Sequence, residues 1–161
     1  MNSPRRSYEA RVLLVPLGPD AARLAGEMAD GGLDGVVTLT PGSQDGYDVR
    51  PVGGHGWLST ASGRAIDDVV PEADMVVLLA SDLAEVPAAT CLEVSRSAQD
   101  GGVLIAALVV GSRHWDTTEG NSAMVALRES VDMLVVVRSL RLAAHFLDVL
   151  RGGARRDSVS V

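Results

Sequence analysis

Lysine is absent from this sequence, and all 14 basic residues are arginine. Schiff-base chemistry and the lysine-dependent phosphate loop of P-loop enzymes are therefore excluded. A single cysteine excludes a disulfide framework and any cysteine-rich zinc site. The three histidines are too few for a histidine-rich site, so we predict that the chain holds no metal ion.

Long apolar stretches are also missing. No apolar run reaches the roughly 18 residues that a membrane-spanning helix needs, and the opening MNSPRRSYEA lacks the apolar region of a signal peptide. Acidic residues outnumber basic residues by 21 to 14, which gives a net charge of −7. This balance argues against nucleic acid or an anionic membrane as a partner. We therefore expect a cytoplasmic protein.

The length of 161 residues fits one domain of ordinary size. We predict a single domain over 10–150. The polar segment 1–9 and the segment 151–161, which is rich in Arg, Gly and Ser, are predicted to be flexible tails.

Short apolar runs alternate with segments of helical periodicity. The runs, typical of strands buried on both faces, lie at 10–15, 35–40, 75–80, 103–110 and 133–137. Helices are predicted at 19–29, 61–70, 86–98, 122–130 and 140–150. This alternation predicts an α/β fold, a three-layer Rossmann-like parallel sheet with helices on both faces. The loops after the strands then share the carboxyl edge of the sheet, where we expect any ligand site.

Two of these loops carry acidic residues next to a predicted helix. Loop 16–20 offers Gly18 between two prolines, and a plain helix entry is the simplest interpretation. The loop after the third strand contains Ser81 and Asp82, and Glu85 follows three residues later, the spacing of a capping box. Carboxylates at these positions would repel a phosphate. The pair Asp82 and Glu85 could hold Mg²⁺, but capping explains it more simply.

Two further loops contain candidates for binding or catalysis. Loop 47–62 places three glycines beside a histidine and a tryptophan, namely Gly53, Gly54, His55, Gly56 and Trp57. Loop 111–121 contains Arg113, His114, Asp116 and Glu119. His55 or His114 could act as an acid–base group, and Arg64 or Arg113 as an anion clamp. A flexible connection and a solvated crossover are the alternatives that stay open for the two loops.

Several segments, taken in chain order, also resemble a known family. They are 126–137 (ALRESVDMLVVV), 73–77 (ADMVV), 101–111 (GGVLIAALVVG), the pair Glu119-Gly120, and 53–56 followed by 63–65. Together they resemble the N-terminal GTP-binding domain of FtsZ, the bacterial relative of tubulin. The resemblance covers about 10–150 and implies a tubulin-type sheet around a nucleotide site.

The departures from that family imply a degenerate site. Where the family has glycine-rich phosphate loops, this chain has loop 16–20 and the acidic segment 81–90, and Arg138-Ser139 stands in place of an Asn-Asp pair. The resemblance thus implies a stand-alone pseudo-GTPase that binds no cofactor, with residual nucleotide binding left open. It would act through a protein partner, such as FtsZ or a pathway enzyme, or as a homodimer.

A second interpretation is a small enzyme or ligand-binding module. In that case, loops 53–57 and 113–115 would meet at the carboxyl edge of the strands and enclose an organic substrate. A third interpretation is dimerisation through an edge strand or through the apolar face of helix 140–150.

Overall fold

The structure is a computed structural model that describes residues 10–43 and 45–152, with the backbone alone at 112 and 113. The predicted tail 1–9 and most of the predicted tail 151–161, namely residues 153–161, lie outside the described residues. The last helix ends at Arg151, which is buried. The domain therefore extends past residue 150, and residues 151 and 152 do not belong to a tail.

Strands and helices alternate along the described residues. The strands are β1 (Val12–Pro16), β2 (Val37–Pro41), β3 (Tyr47–Pro51), β4 (Ala61–Arg64), β5 (Met75–Asp82), β6 (Leu104–Arg113) and β7 (Met133–Val137). The helices are α1 (Pro19–Asp30), α2 (Ile66–Val69), α3 (Ala88–Asp100), α4 (Thr118–Ser130) and α5 (Leu140–Arg151). Short 3₁₀ turns follow α2 at Val70–Glu72 and β5 at Leu83–Glu85.

The strands form one seven-stranded sheet in the order β4-β3-β2-β1-β5-β6-β7. Five neighbouring strands are parallel to one another, namely β2, β1, β5, β6 and β7. In contrast, β3 is antiparallel to β2, and β4 is antiparallel to β3. The predicted α/β fold with a mostly parallel central sheet is confirmed. The prediction of an entirely parallel sheet is wrong at this hairpin.

The sequence does not predict this hairpin, because neither β3 nor β4 is an apolar run. In β3, Val49 is fully buried but the neighbouring Arg50 is exposed. In β4 the sequence is ASGR, without a large apolar side chain. Residues 47–51 were predicted as loop and 61–64 as helix, since edge strands bury too little to show the pattern of a central strand.

The core lies on both faces of the sheet, which confirms the three-layer arrangement. Leu13, Leu78 and Ile105 belong to the cluster on the face covered by α2, α3 and α4. Leu14 and Leu79 belong to the cluster on the face covered by α1 and α5. The central strand β5 is buried from its second residue to its last, as a parallel strand with helices on both sides should be.

The two ends of the domain meet at the amino edge of the sheet. The Ala10 N–H donates to the carbonyl oxygen of Arg151 at 3.3 Å. The Arg151 guanidinium pairs with Asp34 at 3.2 Å and with Asp148 at 2.7 Å. Because the arginine is buried, these contacts hold the end of α5 firmly against the segment before β2.

No helix within residues 10–43 and 45–152 is both long and apolar enough to cross a membrane. The cytoplasmic location stays a prediction.

Cys91 is fully buried in α3, and burial raises the pKa of its thiol to about 11. Because the thiolate is the reactive form, we expect no reaction with a disulfide reagent at pH 8 in the native protein, and one equivalent per chain in denaturant. A thiol assay with and without guanidinium measures this. Rapid labelling of the native chain would contradict the structure around α3.

Candidate functional site

The first turn of α1 is capped by a carboxylate from a distant loop. Glu85 Oε1 accepts the N–H of Asp20 at 3.0 Å. Gly18 makes this approach possible, because a Cβ at that position would lie 2.7 Å from the Cβ of Glu85, and its φ is +107°. Glu85 thus caps α1 and not the helix that follows it, so the predicted capping box is wrong for this residue.

The side chain of Asp20 connects α1 to the end of β5. Asp20 Oδ2 accepts the hydroxyl of Ser81 at 2.7 Å, and Asp20 Oδ1 accepts Arg23 Nη2 at 2.7 Å. Ser81 is almost fully buried. Both carboxylate oxygens of Asp20 are therefore engaged inside the chain.

Asp82 forms the second half of this polar edge. Its Oδ1 accepts the Ala84 N–H at 3.1 Å, which confirms its capping role, here for the 3₁₀ turn after β5. The same oxygen lies 2.5 Å from Nδ1 of His114. His114 has a left-handed φ of 61°, which is uncommon for a residue other than glycine. A buried carboxylate and a half-exposed imidazole thus form a close pair at this edge.

The backbone of His114 is fixed against the start of α4. Its carbonyl oxygen accepts the Thr117 hydroxyl at 2.7 Å, and Thr117 Oγ1 accepts the Gly120 N–H at 2.9 Å as the N-cap of α4. A Cβ at Gly120 would lie 1.7 Å from the His114 oxygen. The loop therefore packs directly on the helix start, and only glycine fits there.

The carboxyl edge of the sheet brings together part of the predicted site. Gly18, Ser81, Asp82 and His114 meet there. The backbone of Arg113 is in register with Asp82, and the exposed Glu119 lies in the first turn of α4. In the first turns of α1 and α4, backbone N–H groups already donate hydrogen bonds to side-chain oxygens of the chain itself, namely Glu85 Oε1 and Thr117 Oγ1. Within the described residues, no group of three acidic, His or Cys side chains could hold a metal ion.

The glycine-rich loop lies at the opposite edge. Since β3 runs antiparallel, the loop after it returns to the amino ends of the parallel strands. Trp57 Nε1 donates to the carbonyl of Val12 at the start of β1, 3.0 Å away. The His55 carbonyl accepts the Gly35 N–H, and its largely exposed ring lies 3.8 Å from Asp34. His55 and Trp57 therefore do not meet His114.

The glycines of that loop have structural reasons. Gly53 has a φ of +80°, and a Cβ there would lie 2.6 Å from the carbonyl oxygen of Leu33. A Cβ at Gly56 would lie 2.9 Å from Val37 Cγ2, while Gly54 has open space around it. The interpretation as an enzyme or ligand module, in which loops 53–57 and 113–115 enclose a substrate, is wrong because the loops lie at opposite edges.

The strand β7 leaves one side of the sheet open. Among the described residues it pairs with β6 alone. Its five residues, MLVVV, include no proline, glycine or charge, and Met133 and Val136 are 41% and 54% exposed. The other outer strand, β4, is shorter and has an irregular register with β3. Natural proteins usually protect outer strands by such devices, and within residues 10–43 and 45–152 β7 shows neither of these two.

The direction of the backbone groups of β7 follows from its register with β6. Ile105 of β6 faces β7, because its carbonyl oxygen accepts the Asp132 N–H at 2.8 Å and its N–H donates to Asp132 Oδ2 at 3.1 Å. Successive residues of a strand alternate in the direction of their N–H and C=O groups, so Ala106 faces away from β7. Because Ala106 is in register with Met133, Met133 is the residue of this pair whose groups face the other strand. Met133, Val135 and Val137 therefore face β6, and the groups of Leu134 and Val136 point away from it.

Both helices that pack on β7 add exposed apolar side chains. They contact β7 from opposite faces of the sheet. Val125 of α4 is 45% exposed, and Leu142 and Val149 of α5 are similar. The open strand thus lies in a part of the surface with several exposed apolar side chains, which is typical of a binding surface.

Neither a protein-family model nor a curated protein sequence matches this chain. Among solved structures, the conserved hypothetical protein BatB from Bacteroides thetaiotaomicron matches with 12% identity and a TM-score of 0.46, over 88% of this chain and 98% of that chain. An aerotolerance-related membrane protein from Bacteroides fragilis matches with 12% identity and a TM-score of 0.46, over 87% and 97%. A von Willebrand factor type A structure from Catenulispora acidiphila matches with 15% identity and a TM-score of 0.39, over 90% and 42%.

These structures are BatB-like and von Willebrand factor type A proteins, so the identification with FtsZ and tubulin is wrong. The pseudo-GTPase function and the tubulin-type sheet that followed from it are withdrawn as well. Short apolar strands bounded by glycine recur wherever strands and helices alternate, which explains the misleading resemblance. The glycine loop 53–56, a part of that resemblance, also lies away from the carboxyl edge.

Proposed function

We propose that this chain is a protein-binding domain that takes up an extended polypeptide strand along β7. The observation that carries the proposal is the open, uncharged and unprotected edge of β7, in contrast with the short and irregular β4. Addition of a strand to a sheet edge is a common mode of peptide recognition.

The polar cluster at the carboxyl edge supports the same conclusion by contrast. Asp20, Ser81, Asp82 and Glu85 already have partners within the chain. The backbone groups at the open edge of β7 are better able to bind a partner than these side chains. A backbone group that is buried in a contact without a hydrogen bond costs free energy, so a partner that covers this edge must pair with its groups. Leu134 and Val136 supply two N–H donors and two acceptors.

The expected affinity is moderate. Four backbone hydrogen bonds at about 1 kcal/mol each offset only the lowest estimate, about 4 kcal/mol, of the cost of association. Burial of Met133 and Val136 then has to supply the net affinity, at about 25 cal/mol per Å² of apolar surface. A partner strand should therefore be apolar on the α4 face, where Val136 lies.

The test uses Val136, whose backbone groups point away from β6. Val136→Pro removes the outward N–H, while the hydrogen bonds to β6 made by its neighbours remain. Val136→Thr keeps the N–H and is the matched control. The probe is an acetylated peptide with the sequence DMLVVVR, and the readout is hydrogen exchange at the outward amide of Leu134, which all three chains retain.

We expect the peptide to slow exchange at the Leu134 amide at least tenfold in the wild-type chain and in Val136→Thr, and to have no effect in Val136→Pro. Unchanged exchange in the wild-type chain, at every concentration of peptide and of the chain itself, would overturn the proposed function. Equal protection in Val136→Pro would show that the peptide binds elsewhere.

A further inference from the structure

We infer that the partner of β7 is a second copy of this chain, paired antiparallel about a two-fold axis at Val135. This inference rests on the proposed function and names its partner. A symmetric pair requires that the same surface be complementary to itself. Two features of the segment 132–138, its backbone directions and its charges, meet that requirement.

The backbone directions permit this register. In an antiparallel pair, residues whose groups point outward must face each other. With the axis at Val135, Leu134 faces Val136 of the second copy and Val136 faces Leu134, so both outward residues of each copy are paired. Moving the axis to Met133 or Val137 leaves part of the apolar strand without a partner.

The charges favour the same register. Asp132 and Arg138 stand immediately before and after the five apolar residues, and both are exposed. With the axis at Val135, Asp132 of one copy faces Arg138 of the other, and the pair occurs twice. A parallel pair in register would instead place Asp132 against Asp132 and Arg138 against Arg138. Opposite charges across two strands stabilise a pair, and like charges destabilise it.

The backbone beside both charges is ordered by local structure. Asp132 Oδ2 accepts the Ile105 N–H at 3.1 Å, which holds the carboxylate beside the first residue of β7. Arg138 lies between the end of β7 and Ser139, the N-cap of α5. The backbone on either side of the apolar strand is therefore ordered before a second copy arrives.

Two charge reversals test the register, with sedimentation equilibrium as the measurement. Asp132→Arg alone places two arginine pairs in the dimer, and Arg138→Asp alone places two aspartate pairs. Each is expected to weaken self-association at least tenfold. A 1:1 mixture of the two variants restores both opposite-charge pairs, so a heterodimer close to wild-type affinity is expected. Asp30→Arg, the same charge reversal at the exposed end of α1, is the surface control.

Circular dichroism shows first whether each variant is folded. If Asp132→Arg does not fold because the Ile105 N–H loses its acceptor, Asp132→Asn takes its place. Its mixture with Arg138→Asp contains one opposite-charge pair, so it should associate more tightly than Arg138→Asp alone. Folded variants whose mixture does not associate more tightly than either alone would overturn the inferred register.

The wild-type chain separates this inference from the proposed function. A chain that stays monomeric but takes up the DMLVVVR peptide overturns self-pairing and leaves the proposed function standing. A monomeric chain that takes up no peptide overturns both. Protected β7 amides in a monomer without peptide would show that the edge is covered from within the chain, which also overturns self-pairing.

Discussion

Replacing Gly120 with alanine is expected to lower the free energy of unfolding by about 3 kcal/mol or more. A Cβ at this position would lie 1.7 Å from the His114 carbonyl oxygen and 2.7 Å from its carbonyl carbon. Both are backbone atoms, so no side chain can rotate away, and overpacking of this kind costs roughly 1–3 kcal/mol and occasionally more. Moving the loop would also break the hydrogen bonds of Thr117, at about 1 kcal/mol each.

Gly26→Ala is the matched control, since it is the same substitution in a helix. Gly26 lies in α1 with nothing within 4 Å of its added Cβ. Alanine there should stabilise the protein by about 0.5–1 kcal/mol through its higher helix propensity. Urea unfolding followed by circular dichroism measures both variants. A neutral Gly120→Ala would show that the loop at His114 does not pack on α4.

Leu78→Ala is expected to cost about 2–5 kcal/mol. Leu78 is completely buried in β5, in the cluster on the side of α2, α3 and α4. Its removal takes away apolar contacts and leaves a cavity between the sheet and the helices, and the rigid central strand limits collapse into that space.

The matched control for this loss is Leu92→Ala in α3. Leu92 is 64% exposed, so the same chemical deletion should change stability by no more than about 0.5 kcal/mol. The two unfolding free energies, measured by the same denaturant titration, should therefore differ by about 2 kcal/mol or more. Equal losses would mean that β5 is not at the centre of the core.

The central part of the fold could be predicted because its strands are buried on both faces. The run at 75–80 corresponds to β5, and the run at 133–137 coincides with β7. Burial on both faces requires apolar residues at every position, which the sequence displays directly. The strands β3 and β4 are only partly buried and do not need apolar residues at every position, so the sequence does not predict them. Without this hairpin, the loop of Trp57 is predicted at the carboxyl edge of the sheet, whereas it lies at the amino edge.

The N-cap of α4 is a local feature that the sequence prediction does not include. The helix was predicted from 122, but it begins at Thr118 with Thr117 as its N-cap. The signal was a threonine followed three residues later by a glycine that makes room for another loop. A capping pattern with a glutamate at that position would have been easier to detect.

The contacts of the carboxyl edge could not be predicted from sequence in the same way. Asp20 and Glu85 are 65 residues apart, and Asp82 and His114 are 32 apart. Such pairs follow from the order of strands in the sheet, which a single sequence specifies only weakly. The same uncertainty allowed short motifs in the right chain order to resemble a family with a different site.

The contact between Ala10 and Arg151 determines how this domain would be built into something larger. Residues 10 and 151 therefore lie side by side at the amino edge of the sheet. Antiparallel pairing through β7 reverses the strand direction from one copy to the next. The two sites of this contact would then lie at opposite edges of the joined sheet, so the pair would act as a rigid spacer that holds them apart.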